Sequence, residues 1–97
     1  MVYGIETLRI NFLNMTKQKL LKLTISRVDG PIFDGEVVAV SVPGELGDMQ
    51  ILAHHTSLIS PLKKGTVTIH KADGKEESHL IESGTLEISN NHATILI

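Results

Sequence analysis

The sequence predicts an all-β domain, a flattened β-sandwich or barrel of about eight to ten short, mostly antiparallel strands. Apolar and polar residues alternate with a period of two from Lys19 onward, which is the pattern of strands with one buried face. Turn-forming residues interrupt the alternation every several positions, and no segment after Leu20 has a sustained helical period. Because the 97 residues include one Tyr, two Phe and no Trp, the core must be built from Val, Ile and Leu, which suit a pleated sheet.

The first half of the chain predicts two strands and two short apolar pieces. The first strand ends at Asp29-Gly30-Pro31, because glycine frees the backbone and proline cannot donate to a ladder. The apolar residues that share its face are Leu21, Leu23 and Ile25. The second strand ends at Pro43-Gly44, and its apolar face consists of Val38, Val40 and Val42. Two short pieces after it are predicted to be buried, Ile51-Leu52 and Leu58-Ile59.

The second half predicts further strands joined by tight turns. Residues 72–75, Ala-Asp-Gly-Lys, predict a hairpin, since Asp-Gly favours positive φ. Asn90-Asn91 is predicted to turn the last pair of strands. The apolar residues of the strands around these turns are Val67 and Ile69, Leu80 and Ile81, Leu86 and Ile88, and Ala93, Ile95 and Ile97.

Length and composition indicate one globular domain with a modest core. A content of 41% hydrophobic and 21% charged residues is ordinary for a folded chain. The formal net charge of −2 gives no excess of basic residues of the kind that binds nucleic acid. The absence of cysteine excludes disulfides and thiolate chemistry and fits a reducing cytoplasm. No apolar run reaches the roughly 18 residues that span a bilayer, and residues 1–14 lack the continuous apolar segment of a secretory signal.

No catalytic, cofactor or metal site is predicted. His54-His55, with Asp48 nearby, is the one cluster that suggests a metal, but adjacent histidines in a strand point to opposite faces and no third ligand lies at a useful spacing. We interpret one histidine as packed in a loop and the other as exposed. The segment from Gly44 to Gly47 lacks the lysine-serine ending and the helix of a phosphate loop, so its glycines are predicted to allow a tight turn between strands. No nucleophile-elbow spacing is present.

Residues 40–65, VSVPGELGDMQILAHHTSLISPLKKG, contain the most informative motif of the chain. They closely resemble the signature stretch of the epsilon subunit of rotary ATP synthases, whose usual pattern is V-x-x-P-G-x-x-G-E-M-G-I-L-P-x-H-x-P-L-x-x-x-L-x-x-G. The chain departs from that pattern at Gln50, where the family has glycine, and at Ala53 and Ser57, where it has prolines. The residues that fall on the pattern without a gap are Val40, Pro43, Gly44, Gly47, Met49, Ile51, Leu52, His55, Leu58, Leu62 and Gly65.

The resemblance covers roughly residues 17–97. Residues 32–37 resemble the family's F-x-G-x-V turn, and residues 82–88 resemble its S-G-G-x-L-E-V segment. Because the family's first residues match those near Met15, residues 1–14 are predicted to be a poorly ordered N-terminal extension and residues 15–97 an epsilon-like β-sandwich domain. The family usually continues into a C-terminal helical hairpin, and the sequence stops at Ile97, so we expect a form reduced to the β domain.

The resemblance implies a non-catalytic rotor subunit of a proton-translocating ATP synthase, held at the cytoplasmic face of the cell membrane through the complex alone and without a cofactor of its own. One face would pack on the gamma subunit, with Arg27 and Val28 on that side. One end, built from loops 43–50 and 54–57, would contact the polar loops of the membrane c-ring. The residues expected to face the ring are Gly44, Gly47, Asp48 and His55.

Two functions of other classes stay open at this stage. A stand-alone β-sandwich module could bind a peptide or a saccharide, although the aromatic platforms usual for sugar binding are missing. An enzyme would need a metal at His54 and His55.

Overall fold

The computed structural model describes residues 19–97, and every regular element in that range is a β-strand. The predicted all-β class and strand count are therefore confirmed, while the predicted extension, residues 1–14, lies outside the described residues. The strands are β1 (Leu21–Arg27), β2 (Gly30–Val37), β3 (Ala39–Gly44), β4 (Gly47–Leu52), β5 (Leu58–Leu62), β6 (Gly65–His70), β7 (Glu76–Ile81), β8 (Gly84–Ser89) and β9 (His92–Leu96).

One curled sheet contains all of these strands, in the order β2-β1-β9-β8-β5-β3-β6-β7, with β4 paired to β3. The pairing of β1 with β9 is parallel, and the other pairings are antiparallel. Both β5 and β6 pair with β3, Leu62 opposite Gly44 and Ile69 opposite Val40. The sheet therefore folds over near the Lys63-Lys64 link, and its two halves share one core.

The core is wholly aliphatic. Among residues 19–97 no polar or charged side chain is buried. Burial of each such aliphatic side chain contributes about 1.5–3 kcal/mol to stability. The apolar positions of the alternating pattern therefore provide most of the driving force for folding. The most deeply buried side chains, from both halves of the sheet, include Leu21, Leu23, Ile25, Val40, Val42, Ile51, Ile69, Leu86, Ile88 and Ile95.

Two predictions about buried faces were wrong. Val38 lies in a bend between β2 and β3 and is half-buried, while its neighbour Val37 is buried at the end of β2. The bend interrupts the period of two, so Val38 does not share a face with the valines of β3. Leu52 and Ile59 were predicted to be buried but are 52% and 72% exposed. Neighbours in a strand point to opposite faces, so an apolar pair places only one member in the core.

The two predicted turns are confirmed. Asn90 and Asn91 have φ values of 52° and 59°, the left-handed pair of a type I′ hairpin, which asparagine tolerates better than most residues. Gly74 has φ of 86°, and the Lys75 N–H donates to Asp73 Oδ1 at 2.9 Å. These turns fix the registers of the β8–β9 and β6–β7 hairpins.

An ionic cluster links the two strands at the ends of the sheet order, β2 and β7. Lys71 Nζ lies 2.9 Å from Glu77 Oε1 on β7 and 5.9 Å from the ring centroid of Phe33 on β2. His79 Nε2 lies 2.7 Å from Glu77 Oε2. The hydrogen bonds from Lys71 and then His79 lower the pKa of Glu77, and the bond to Glu77 raises the pKa of Lys71.

We expect Glu77→Gln to lower the melting temperature at pH 7 by an amount that disappears in acid. Because the folded-state pKa of Glu77 lies below its ordinary value of 4.5, its contribution to stability is complete above that value. The contribution is lost as the pH falls through the lower folded-state pKa. Thermal melts of wild type and variant across this range measure the effect, with Glu87→Gln, an exposed carboxylate, as the control. A difference that stays constant with pH would contradict this role.

Candidate partner-binding surfaces

The β3–β4 hairpin holds its turn residues out from the sheet. Gly44 pairs with Gly47, which leaves Glu45 and Leu46 as a two-residue turn, and the Leu46 side chain is fully exposed. Gly47 has φ of 144°, a backbone conformation that side chains rarely adopt. The predicted tight turn between strands is therefore confirmed.

Gly44 is required for a different reason. Its φ is not positive, so backbone conformation is not what requires a glycine at this position. A Cβ at Gly44 would lie 2.5 Å from the carbonyl oxygen of Gly47 and 3.0 Å from Met49 Cε. The hairpin closes too tightly for any side chain at this position.

Two backbone hydrogen bonds fix the base of the hairpin to the corner of the sheet. The N–H of Glu45 donates to the Pro61 carbonyl at 3.1 Å, and the N–H of Lys63 donates to the Pro43 carbonyl at 2.9 Å. Between the hairpin and β5 lies a notch of about 430 Å³, lined by residues 44–49, Ser60 and Pro61. We call the exposed Glu45-Leu46 turn together with Asp48 the hairpin tip.

His54 and His55 lie in the loop between β4 and β5. His54 is exposed with φ of 63°, and its N–H donates to Asn91 Oδ1 at 2.7 Å. His55 is half-buried, and its Nδ1 lies 2.7 Å from the Thr56 carbonyl oxygen. In the described part of the chain, no three His, Asp or Glu side chains are grouped as metal ligands would be.

The four residues predicted to face the ring do not form one cluster. Gly44, Gly47 and Asp48 lie at the hairpin, whereas His55 follows the other end of β4. At about 3.3 Å per residue, the six residues of β4 place roughly 17 Å between the Cα atoms of Gly47 and Leu52. The single end expected from loops 43–50 and 54–57 is thus divided into two separate surfaces.

A cleft of about 680 Å³ lies between the β1–β2 turn and the β7–β8 turn. Arg27, Val28 and Asp29 line one side of it, and residues 80–83 with Ile97 line the rest. Val28 is fully exposed at the turn, and Leu80 is 78% exposed. Leu96, also exposed, lines a smaller depression that adjoins the same Arg27-Val28 turn. We call this region, which includes both predicted gamma-facing residues, the apolar cleft after its exposed apolar side chains, although Arg27, Asp29, Glu82 and Ser83 also line it.

Three exposed leucines, Leu46, Leu80 and Leu96, were not predicted from the sequence to be surface residues. A signal was available for each. Leu80 and Leu96 stand beside core residues in a strand and must face away from the core, and Leu46 lies between two turn glycines.

The apolar cleft and the His55 loop lie at opposite ends of β1. At one end, the Ile97 N–H donates to the Ser26 carbonyl at 2.9 Å, beside Arg27. At the other end, the Lys22 N–H donates to the Asn91 carbonyl at 3.2 Å, and the Asn91 side chain in turn accepts from the N–H of His54.

The described residues include no helix long and apolar enough to cross a membrane.

Comparison with known proteins gives consistent matches over this domain. The family model described as "ATP synthase, Delta/Epsilon chain, beta-sandwich domain" matches residues 20–97. The ATP synthase epsilon chain of a Nitratiruptor species is 46% identical over 77 residues, which cover 79% of this chain and 60% of the relative. That of Bacillus subtilis (strain 168) is 40% identical over 78 residues, 80% of this chain and 58% of the relative. The chain thus spans about 60% of the length of these relatives.

Solved structures share the fold. A chain of the Euglena gracilis mitochondrial ATP synthase, in a structure of OSCP, F1 and c-ring, superposes with a TM-score of 0.76 at 24% identity, covering 79% of this chain and 49% of that one. A chain of the Tetrahymena thermophila mitochondrial ATP synthase, in a structure of central stalk and c-ring, gives a TM-score of 0.67 at 15% identity, covering 82% and 64%.

Proposed function

The chain belongs to the ATP synthase delta/epsilon family, whose β-sandwich domain matches residues 20–97, and from this membership we propose that it acts as a non-catalytic rotor subunit of a proton-translocating ATP synthase. In this role it joins the gamma subunit of the central stalk to the membrane c-ring and so couples ion flow to ATP synthesis. It is held at the cytoplasmic face of the membrane through those subunits. Nucleotide chemistry takes place on other subunits of the complex.

The observation that best supports the gamma contact is the apolar cleft. Val28 and Leu80 are exposed large apolar side chains that line the cleft of about 680 Å³, and the exposed Leu96 lines the smaller depression that adjoins it. Contiguous exposed apolar surface on a soluble domain usually marks a contact with another protein. We propose that the gamma subunit covers this cleft, with Arg27 at its polar rim, where a cationic side chain is suited to contribute specificity.

The hairpin tip supports a contact of another kind. Glu45 and Asp48 place carboxylates beside the exposed Leu46, and polar groups on turns suit recognition of a polar surface. We propose that Gly47 and Asp48, which are both exposed, form the ring-facing side, and that Gly44, which is buried beneath them, shapes the turn without touching the ring. His55, which lies beyond the far end of β4, is a second ring contact in this proposal.

We expect the chain to form a stable complex with the gamma subunit of the same genome. Co-expression of the two, followed by size-exclusion chromatography at micromolar concentration, should give one peak that contains both proteins. Specific, stable protein–protein interfaces bury about 1,200–2,000 Å² in total, and we expect the contact with gamma to be of this size. Two separate peaks would argue strongly against this function.

A further inference from the structure

A polar pocket of about 400 Å³ lies beside the Lys63-Lys64 link, where the sheet folds over. It is lined by residues 41–43 and 63–66, by Asp48 and by Thr68, and we call it the lysine pocket. Of these residues only Asp48 also lines the notch beside the hairpin. The lysine pocket is therefore a surface distinct from the notch and from the apolar cleft.

The shape of the link brings two lysines to one pocket. Neighbouring residues in a strand point to opposite faces, yet Lys63 and Lys64 both line this pocket. The Lys63 N–H donates to the Pro43 carbonyl at 2.9 Å, and a Cβ at Gly65 would lie only 2.8 Å from Pro43 Cβ. The link thus packs closely on Pro43, which fixes the backbone from which both cationic side chains extend.

Three residues with hydroxyl groups line the same pocket. Ser41 on β3 is the register partner of Thr68 on β6, and Thr66 shares the face of Thr68 because residues two apart in a strand point the same way. None of the three is fully buried. Ammonium and hydroxyl groups are the donors with which proteins bind phosphate oxygens, so this set of side chains is suited to a phosphate group.

Opposite charges line the pocket without pairing. Asp48, Lys63 and Lys64 are all exposed, and among residues 19–97 none of them forms an ion pair. A bare phosphate would be attracted by the lysines and repelled by Asp48. A ligand that satisfies all three side chains carries a phosphate for the lysines and an ammonium group for the carboxylate.

We propose that the lysine pocket binds a phosphoethanolamine group, the zwitterionic headgroup of phosphatidylethanolamine. The phosphate accepts hydrogen bonds from Lys63, Lys64 and the pocket hydroxyls, and the ammonium group donates to the Asp48 carboxylate. A lipid is the source because the proposed function holds the domain at the membrane face, and because Lys63 is hydrogen-bonded to the base of the hairpin that is proposed to face the ring. In this respect the inference rests on the proposed function.

Co-sedimentation of the full chain with lipid vesicles tests the inference without any other subunit of the synthase. The probe vesicles contain phosphatidylethanolamine and phosphatidylcholine in equal parts, and the reference vesicles contain phosphatidylcholine alone. Phosphatidylcholine has the same phosphate and the same net charge, but its trimethylammonium group has no N–H to donate to Asp48. We expect the chain to bind the probe vesicles roughly tenfold more tightly than the reference vesicles.

Lys63→Gln combined with Lys64→Gln should weaken binding to the probe vesicles roughly tenfold or more, because the phosphate loses both cations. The matched control is Lys19→Gln combined with Lys75→Gln, which removes two lysines outside the pocket and should leave binding unchanged. All four lysines are exposed, so neither double variant should alter the melting temperature. Asp48→Asn should abolish the preference for the probe vesicles and leave binding to phosphatidylcholine unchanged.

Equal binding of wild type to probe and reference vesicles, or wild-type affinity in the variant that lacks both pocket lysines, would overturn the inference. Tighter binding to vesicles of phosphatidylglycerol and phosphatidylcholine in equal parts would also overturn it, because it would show a general attraction of lysines to anionic lipid. Soluble phosphoethanolamine that binds in calorimetry while the vesicles do not would contradict the lipid source. Each of these outcomes leaves the proposed function standing, which fails separately if the chain binds neither gamma nor the c-ring.

Discussion

Leu80→Asp is expected to disrupt the complex with the gamma subunit. Leu80 lies on β7 at the wall of the apolar cleft, where the proposed interface would bury it. The substitution would remove the apolar contact and would bury a carboxylate at the cost of its hydration, so the affinity should fall roughly 30-fold or more, the effect of ~2 kcal/mol typical of a central interface residue. Calorimetric titration of gamma with each purified variant measures the change.

The matched control for this prediction is Ile59→Asp. Ile59 is 72% exposed, close to the 78% of Leu80, but it lies on β5 outside the cleft. Both substitutions introduce the same charge on an exposed strand position, so their melting temperatures should change little and equally. Equal loss of gamma binding in the two variants would show that the added charge weakens binding wherever it is placed. Unchanged binding by Leu80→Asp would show that gamma binds outside the cleft.

Gly44→Ala should destabilise the domain by about 1–3 kcal/mol, the usual cost of forcing an extra methyl group into a closed space. The new Cβ would lie 2.5 Å from a backbone oxygen of Gly47, which cannot move without opening the hairpin. For a domain of this size each kcal/mol lowers the melting temperature by roughly 4–8 °C, so the effect is readily measured by thermal melts.

Gly35→Ala is the matched control for Gly44. Its φ is not positive, and an added Cβ would meet only the Phe33 ring, at an ordinary 3.6 Å. The substitution should change stability by less than about 1 kcal/mol in either direction. Gly44→Ala with a melting temperature equal to that of Gly35→Ala would mean that the hairpin is looser than the structure indicates.

Most strands and both hairpin turns were predictable because they depend on local physics, whereas residues 32–37, which resemble a turn of the family, lie in strand β2. The alternation of β1 gives Leu21, Leu23 and Ile25 one buried face, and turn chemistry locates the bends at Gly74 and at Asn90-Asn91. The face of Val38 was not predictable, because residues 37–40 are all apolar and this run does not show at which residue the bend interrupts the period of two.

The candidate surfaces were only partly predictable. The motif identified Gly44 and Gly47 as turn residues, but it could not show why each must be glycine. Gly47 is required by its positive φ. Gly44 is required because a Cβ would collide with the Gly47 carbonyl oxygen and with Met49, and this collision depends on how the hairpin closes. The resemblance also implied that Asp48 and His55 lie at one end of the domain. Strand β4 separates them, and its pairing with β3 is a tertiary property.

The most direct test of the central claim is affinity purification of the chain from its own organism. A tagged full-length copy would replace the untagged gene, membranes would be solubilised in mild detergent, and the bound subunits would be identified by mass spectrometry. We predict that the gamma subunit and the c-ring are recovered with the tagged chain, together with the catalytic subunits. Recovery of the tagged chain alone, from membranes in which the rest of the synthase is intact, would contradict the assignment as a rotor subunit.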